Sequence, residues 1–147
     1  MNINLIKILK NKLDLKILNS EIDNIDHSSG YNLIFVNDLM LNAELGVYAH
    51  EKNIHQPLRV NMIAKIKDIP DTSNEKIDNV VCYNEISIII KKIVSSGHTI
   101  LLETLAEKIL LECFKNNRIE TIKIRLEKLD AIDDAESAGI EIERSRK

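Results

Sequence analysis

A chain of 147 residues with 44% hydrophobic and 29% charged residues is long enough to bury one domain's core. Its 20 Lys and Arg against 23 Asp and Glu, a net charge of -3, leave no basic excess for phosphate backbones. With 3% aromatics and no Trp it also lacks stacking platforms for single strands, so nucleic acid is not expected as a partner.

At the N-terminus Leu5, Ile6, Ile8, Leu9, Leu13, Leu15 and Ile17 are interleaved with Lys7, Lys10, Lys12 and Lys16. A secretory signal needs an unbroken apolar run of about 7–15 residues, and a membrane span needs roughly 20. The segment is expected to pack on its own domain or oligomer rather than lie on a membrane. Asn19 to Tyr31 is polar and includes Ser28, Ser29 and Gly30, the composition of a linker. Residues 1–31 therefore form an N-terminal extension, and residues 32–147 the domain. Cys82 and Cys113 show no metal-ligand spacing, which predicts free thiols in a reducing cytoplasm.

Leu39, Leu41, Ala43, Leu45 and Val47 alternate with Met40, Asn42, Glu44 and Gly46, a half-buried strand. Leu58, Val60, Met62, Ala64 and Ile66 repeat the pattern after a polar connection. Asp68 to Asn79 has loop composition. Ile86, Ile89, Ile90, Ile93 and Val94 then follow helical spacing up to Gly97. A second helix, starting near Thr99 or Ile100, carries Leu101, Leu102, Leu105, Ile109, Leu110 and Phe114. Alternation returns in Ile122, Ile124 and Leu126, and again in Ala138, Ile140 and Ile142. The order strand, strand, helix, helix, strand, strand predicts an α+β fold: a four-stranded antiparallel sheet with two helices on one face. The opposite face, with Arg59, Asn61, Lys65, Lys123, Arg125, Glu127, Glu141 and Glu143, is polar enough for water or the wet interior of a barrel.

Five residues stand out from their local pattern. Lys128 continues the apolar face of Ile122, Ile124 and Leu126. Desolvation there would lower a lysine from its usual ~10.4 and suit acid–base work; the alternative is an ammonium that snorkels to water at the strand end. Glu103 and Glu107 are like charges four apart on one helix, a spacing that is unfavourable in water. The positive end of the helix dipole offsets this for Glu103 and makes it a good acceptor for paired N–H donors, though a solvated helix face fits equally well. Tyr83 opens the first helix and Glu51 lies in the first strand connection, where packing and solvation are the ordinary roles. His27, His50, His55 and His98 form no ligand pair, so no metal site is expected.

These residues fall within stretches that resemble the dihydroneopterin aldolase family. Gly46-Val47-Tyr48-Ala49-His50-Glu51 with Gln56-Pro57 is similar to the loop after the family's first strand. Asp78-Asn79-Val80-Val81-Cys82-Tyr83-Asn84-Glu85-Ile86 resembles its D-x-V-x-Y-x-E stretch. Leu101-Leu102-Glu103-Thr104-Leu105-Ala106-Glu107 is similar to its L-x-E-x-L-A-E helix start. Arg125-Leu126-Glu127-Lys128 resembles the strand that ends in lysine, and Gly139-Ile140-Glu141-Ile142-Glu143-Arg144 the last strand. The matches run in the family's order from about Asn32 to Arg144. Where the family often has prolines after the lysine, this chain has Leu129-Asp130-Ala131-Ile132-Asp133-Asp134.

The resemblance implies a tunnelling fold, a barrel closed by strands of several subunits in a homotetramer or octamer, and sites at subunit interfaces. It implies Glu103 as the bidentate anchor of a pterin, with Leu102 contacting it through the backbone. Lys128 would be the acid–base residue, with Glu51 near it and the substrate side chain. Tyr83 of a neighbouring subunit would assist proton transfer, and Gln56 and Glu107 would support. No cofactor is implied, because the dihydropterin carries its own electron sink. An epimerase acting on dihydroneopterin or its triphosphate, or a non-catalytic pterin-binding protein, are the alternatives.

Overall fold

The alternating segments form four strands: β1 (Asn32–Glu44), β2 (His55–Ile66), β3 (Ile119–Lys128) and β4 (Ala138–Ser145). The helical spacings form α1 (Tyr83–Val94) and α2 (Leu102–Cys113) between β2 and β3. The computed structural model describes residues 11–14, 16, 30–67 and 73–147. Residues 11–14 and 16 are helical and exposed; the rest of the amphipathic segment, nearly all of the linker and loop residues 68–72 lie outside the described residues. The chain divides into two compact units, Tyr31–Asp68 with Val81–Lys147, and Met1–Gly30 with Ile69–Val80. The first holds all the strands and helices named above. In the second, a short 3₁₀ turn covers Ile77–Asn79, and the Asn74 side chain accepts from Lys76 N–H and Asn79 Nδ2.

The sheet runs in the order β1-β2-β3-β4, and every neighbouring pair is antiparallel. Leu58, Val60, Met62, Ala64 and Ile66 of β2, and Ile122, Ile124 and Leu126 of β3, are buried. They meet Ile86, Ile90 and Val94 of α1 and Leu105, Ala106, Ile109, Leu110 and Cys113 of α2 in one apolar cluster. Helices of about three turns are marginal alone, so burial of these stripes holds them on the sheet. Among the described residues no helix is long and apolar enough to cross a membrane.

Three expectations change. The first strand begins at Asn32, seven residues before the alternation that predicted it, because a bulge inverts the pattern. Val36 faces Met62 and Leu39 faces Val60, so β1 holds one extra residue between two partners spaced by two. Ile34 and Val36 face the core before the bulge, and Leu39 and Leu41 after it. Asp38 takes the strained bend at φ 51°, and its N–H is satisfied by Asn61 Oδ1 at 2.8 Å. At the other end the alternation overruns the strand: Val47 is exposed. Finally, α2 starts at Leu102 rather than near Thr99, whose backbone is engaged elsewhere.

The open face of the sheet is paired rather than merely wet. Glu127 is only 4% exposed and accepts from Arg59 Nε and Nη2 at 3.0 Å each, Ser137 Oγ at 2.7 Å and Arg125 Nη2 at 3.3 Å. Chiefly the Arg59 guanidinium holds the Glu127 carboxyl down at about 2. Lys65–Glu120 and Lys123–Glu141 pair nearby at 3.0 and 2.8 Å. The face is not uniformly polar either, since Leu33, Phe35 and Ile63 stand exposed on it.

Candidate active site

At one end of the sheet, on its helix side, Lys128 Nζ donates to Glu51 Oε1 at 2.6 Å. Both side chains are largely buried, at 16% and 14% exposure. Lys128 reaches this place because β3 keeps its alternation to the last residue, opposite Leu58 of β2. Glu51 arrives from the connection between β1 and β2. A 3₁₀ turn, Ala49–Glu51, folds the loop back, and Tyr48 N–H donates to Glu51 Oε2 at 3.1 Å. Gln56 Nε2 donates to Glu51 Oε1 at 3.4 Å and to the Leu45 carbonyl at 2.5 Å, tying the carboxylate to β2 and to the residue that follows β1. The Lys128 ammonium is the main reason the Glu51 carboxyl falls from its ordinary 4.5 to about 2, and the Tyr48 amide adds to it. The predicted desolvation of Lys128 considered the lysine alone; the structure supplies it with a carboxylate partner.

Gly46 makes the turn possible. Its φ of +135° disfavours a side chain, and a Cβ there would occupy the place of the Glu51 carboxylate. Beyond the ion pair opens a cavity of about 530 Å³ whose lining includes Tyr48, His50, Glu51, Gln56, Lys128 and Asp130. The Tyr48 and His50 rings stack, with centroids 5.6 Å apart and planes within 5°.

The start of α2 is pinned to the same loop. Thr99 N–H donates to the Glu44 carbonyl at 3.0 Å and Gly46 N–H to the Thr99 carbonyl at 3.2 Å, a short parallel bridge between Leu45 and Thr99. Leu102 and Glu103 follow directly as the first residues of α2. Glu103 is exposed, and among the described residues it has no hydrogen-bonding or ionic partner. Glu107 is bound to Arg144 Nη2 of β4 at 2.6 Å, which removes the like-charge conflict expected between the two.

The structure thus brings together Lys128, Glu51 and Gln56. Leu102, Glu103 and Tyr83 do not line their cavity. Tyr83 is the first residue of α1 and is 67% exposed. Sequence reasoning missed Asp130 in the cavity wall, and missed His98, whose Nε2 lies 2.9 Å from the Gly46 carbonyl. Neither breaks a periodicity, so no local signal marked them. Among the described residues no group of three or more His, Cys, Asp or Glu could hold a metal ion.

Fold and site together define an α+β protein, a four-stranded meander with two helices on one face and a lysine–carboxylate pair at a strand end. The chain belongs to the dihydroneopterin aldolase family, whose model (FolB: dihydroneopterin aldolase) matches residues 34–143. It is 31% identical over 113 residues to the folic acid synthesis protein FOL1 of Dictyostelium discoideum, a match covering 76% of this chain but only 17% of that protein. A FolB chain of Vibrio cholerae O1 has the same fold, with a TM-score of 0.71 and 23% identity over 80% of this chain and 100% of that one. The dihydroneopterin aldolase of E. coli, solved in complex with neopterin, gives a TM-score of 0.70 at 22% identity over 78% and 99% of the two chains.

Proposed function

We propose that this chain is a dihydroneopterin aldolase. It cleaves the side chain of 7,8-dihydroneopterin to give 6-hydroxymethyl-7,8-dihydropterin and glycolaldehyde. The observation that carries the reading is the Lys128–Glu51 pair, an ammonium and a carboxylate 2.6 Å apart at the wall of a substrate-sized cavity. The neopterin held by the E. coli structure supports a pterin as the guest here.

In this reading Glu103 accepts from the pterin's amino group and ring N–H, as an exposed carboxylate without a partner among the described residues at a helix start can. Leu102 adds backbone contacts. The C1′–C2′ bond breaks after a base takes the C2′ hydroxyl proton. Its electrons move into the protonated N5=C6 imine, which becomes an enamine, and glycolaldehyde leaves. A proton delivered to C1′ then restores the imine. Lys128 exchanges these protons, and Glu51, held ionised, orients its ammonium. The substrate is its own electron sink, so no cofactor enters.

Tyr83 does not line the cavity of its own chain, and we assign it to a neighbouring subunit's site in a homotetramer or octamer. Residues 32–147 form the catalytic domain and residues 1–31 an extension, and the free thiols of Cys82 and Cys113 fit a cytoplasmic enzyme. Incubation with 7,8-dihydroneopterin followed by product chromatography tests the reading. Glycolaldehyde release is expected from the native protein, with Lys128→Ala lowering kcat by about 10²–10⁴-fold. Bound but uncleaved substrate would leave a pterin-binding protein, and monapterin in place of glycolaldehyde an epimerase.

A further inference from the structure

We infer that His98 is a positioning residue for the Lys128–Glu51 pair, acting through the peptide that follows Gly46. The inference rests on the aldolase reading for its kinetic consequence, but on geometry alone for its structural one.

His98 sits between α1 and α2, one residue before the Thr99 bridge. Its Nε2 lies 2.9 Å from the Gly46 carbonyl oxygen, which can only accept, so Nε2 carries the proton. In the neutral ring the lone pair then falls on Nδ1, which is buried with no partner among the described residues. An acceptor buried without a partner carries the free-energy cost of its lost hydration. An apolar ring in the same space would avoid that cost and would lose only the bond to Gly46. The imidazole therefore serves that one bond, and what the bond fixes decides its purpose.

The Gly46 carbonyl belongs to the peptide whose turn sets the entire Glu51 loop. The Gly46 Cα faces the Glu51 carboxylate so closely that a Cβ has no room. Two residues on, the Tyr48 N–H donates to Glu51 Oε2, while Glu51 Oε1 meets Lys128. Backbone bonds on either side, from Thr99 N–H to Glu44 and from Gly46 N–H to Thr99, hold the chain up to the amide of Gly46 but not its carbonyl. His98 is the group that holds the carbonyl. Through it the turn becomes a clasp from the start of α2 to the carboxylate that orients the lysine.

The test compares His98→Phe, which keeps a ring without the donor, with His98→Gln, whose amide can donate to the same carbonyl. His98→Phe is expected to lower kcat about 10- to 100-fold, with little change in KM for 7,8-dihydroneopterin and in neopterin affinity, and His98→Gln to recover most of the loss. The Glu51 carboxyl, followed by carbon-13 NMR titration, is expected to move up from about 2 in His98→Phe and to return in His98→Gln. An unchanged carboxyl titration in His98→Phe overturns the inference, as does a loss of kcat that His98→Gln fails to rescue. Because the titration needs no substrate, it tests His98 even if the native protein leaves dihydroneopterin intact, a result that would remove the aldolase reading instead.

Discussion

Two carboxylates in this fold are held ionised far below their usual range, and each is tied to a cation. Glu51 and Glu127 both fall from 4.5 to about 2, through Lys128 and Arg59 respectively. A folded-state value below the unfolded one means that the unfolded chain binds the protons first. The stabilisation is therefore complete above about pH 4.5 and is lost as pH falls from there toward 2. Thermal melts across this window should show the midpoint falling steeply with acid. Glu127→Gln, which cannot ionise, should lower the midpoint at pH 7 and flatten that fall; an unchanged acid slope would mean that the pair with Arg59 contributes nothing. Lys128 was legible in the sequence because a charge on an apolar alternation is a visible exception. Glu51 was not visible by pattern, because a carboxylate in a polar loop looks like solvation; the family resemblance alone set it near the lysine, and the fold of the Gly46 turn is what carries it there.

Elements were more legible than their edges. Strands β2 and β3 and both helices follow their periods closely because each buries one face against the same core. The first half of β1 escaped detection because the bulge at Asp38 shifts the inward residues from even to odd positions. A period-two reading cannot cross such a shift without seeing the partner strand. Gly139, the second residue of β4, shows the opposite case, a residue whose purpose is only spatial. A Cβ on Gly139 would run into the backbone carbonyl of Leu126 on β3, across the β3–β4 pair that sets Glu127 opposite Gly139. Backbone cannot move aside as a flexible side chain can. Gly139→Ala should therefore destabilise by about 1–3 kcal/mol, read as a lower denaturation midpoint at unchanged m-value. A variant as stable as the native chain would show that β4 is free to slide outward.

At the scale of the whole molecule, the proposed site is divided by the chain's own geometry. Lys128, Glu51 and Gln56 share a cavity, whereas Tyr83 stands 67% exposed at the start of α1 and does not line it. Within this sheet β1 and β4 are edge strands, and Phe35 and Met40 of β1 are exposed as well, an arrangement that favours pairing with further copies. If Tyr83 serves a neighbour's lysine, two inactive variants should repair each other. Lys128→Ala lacks the acid–base group but offers an intact Tyr83; Tyr83→Phe lacks the hydroxyl but keeps Lys128. Unfolded together in equal amounts and refolded, they should form mixed oligomers in which about one quarter of the sites combine both intact residues. Glycolaldehyde release should then approach a quarter of the native rate per site, while each variant refolded alone stays near its own low level. Mixtures no more active than the average of the two would place Tyr83 and Lys128 in the same subunit's site, or Tyr83 outside the reaction altogether.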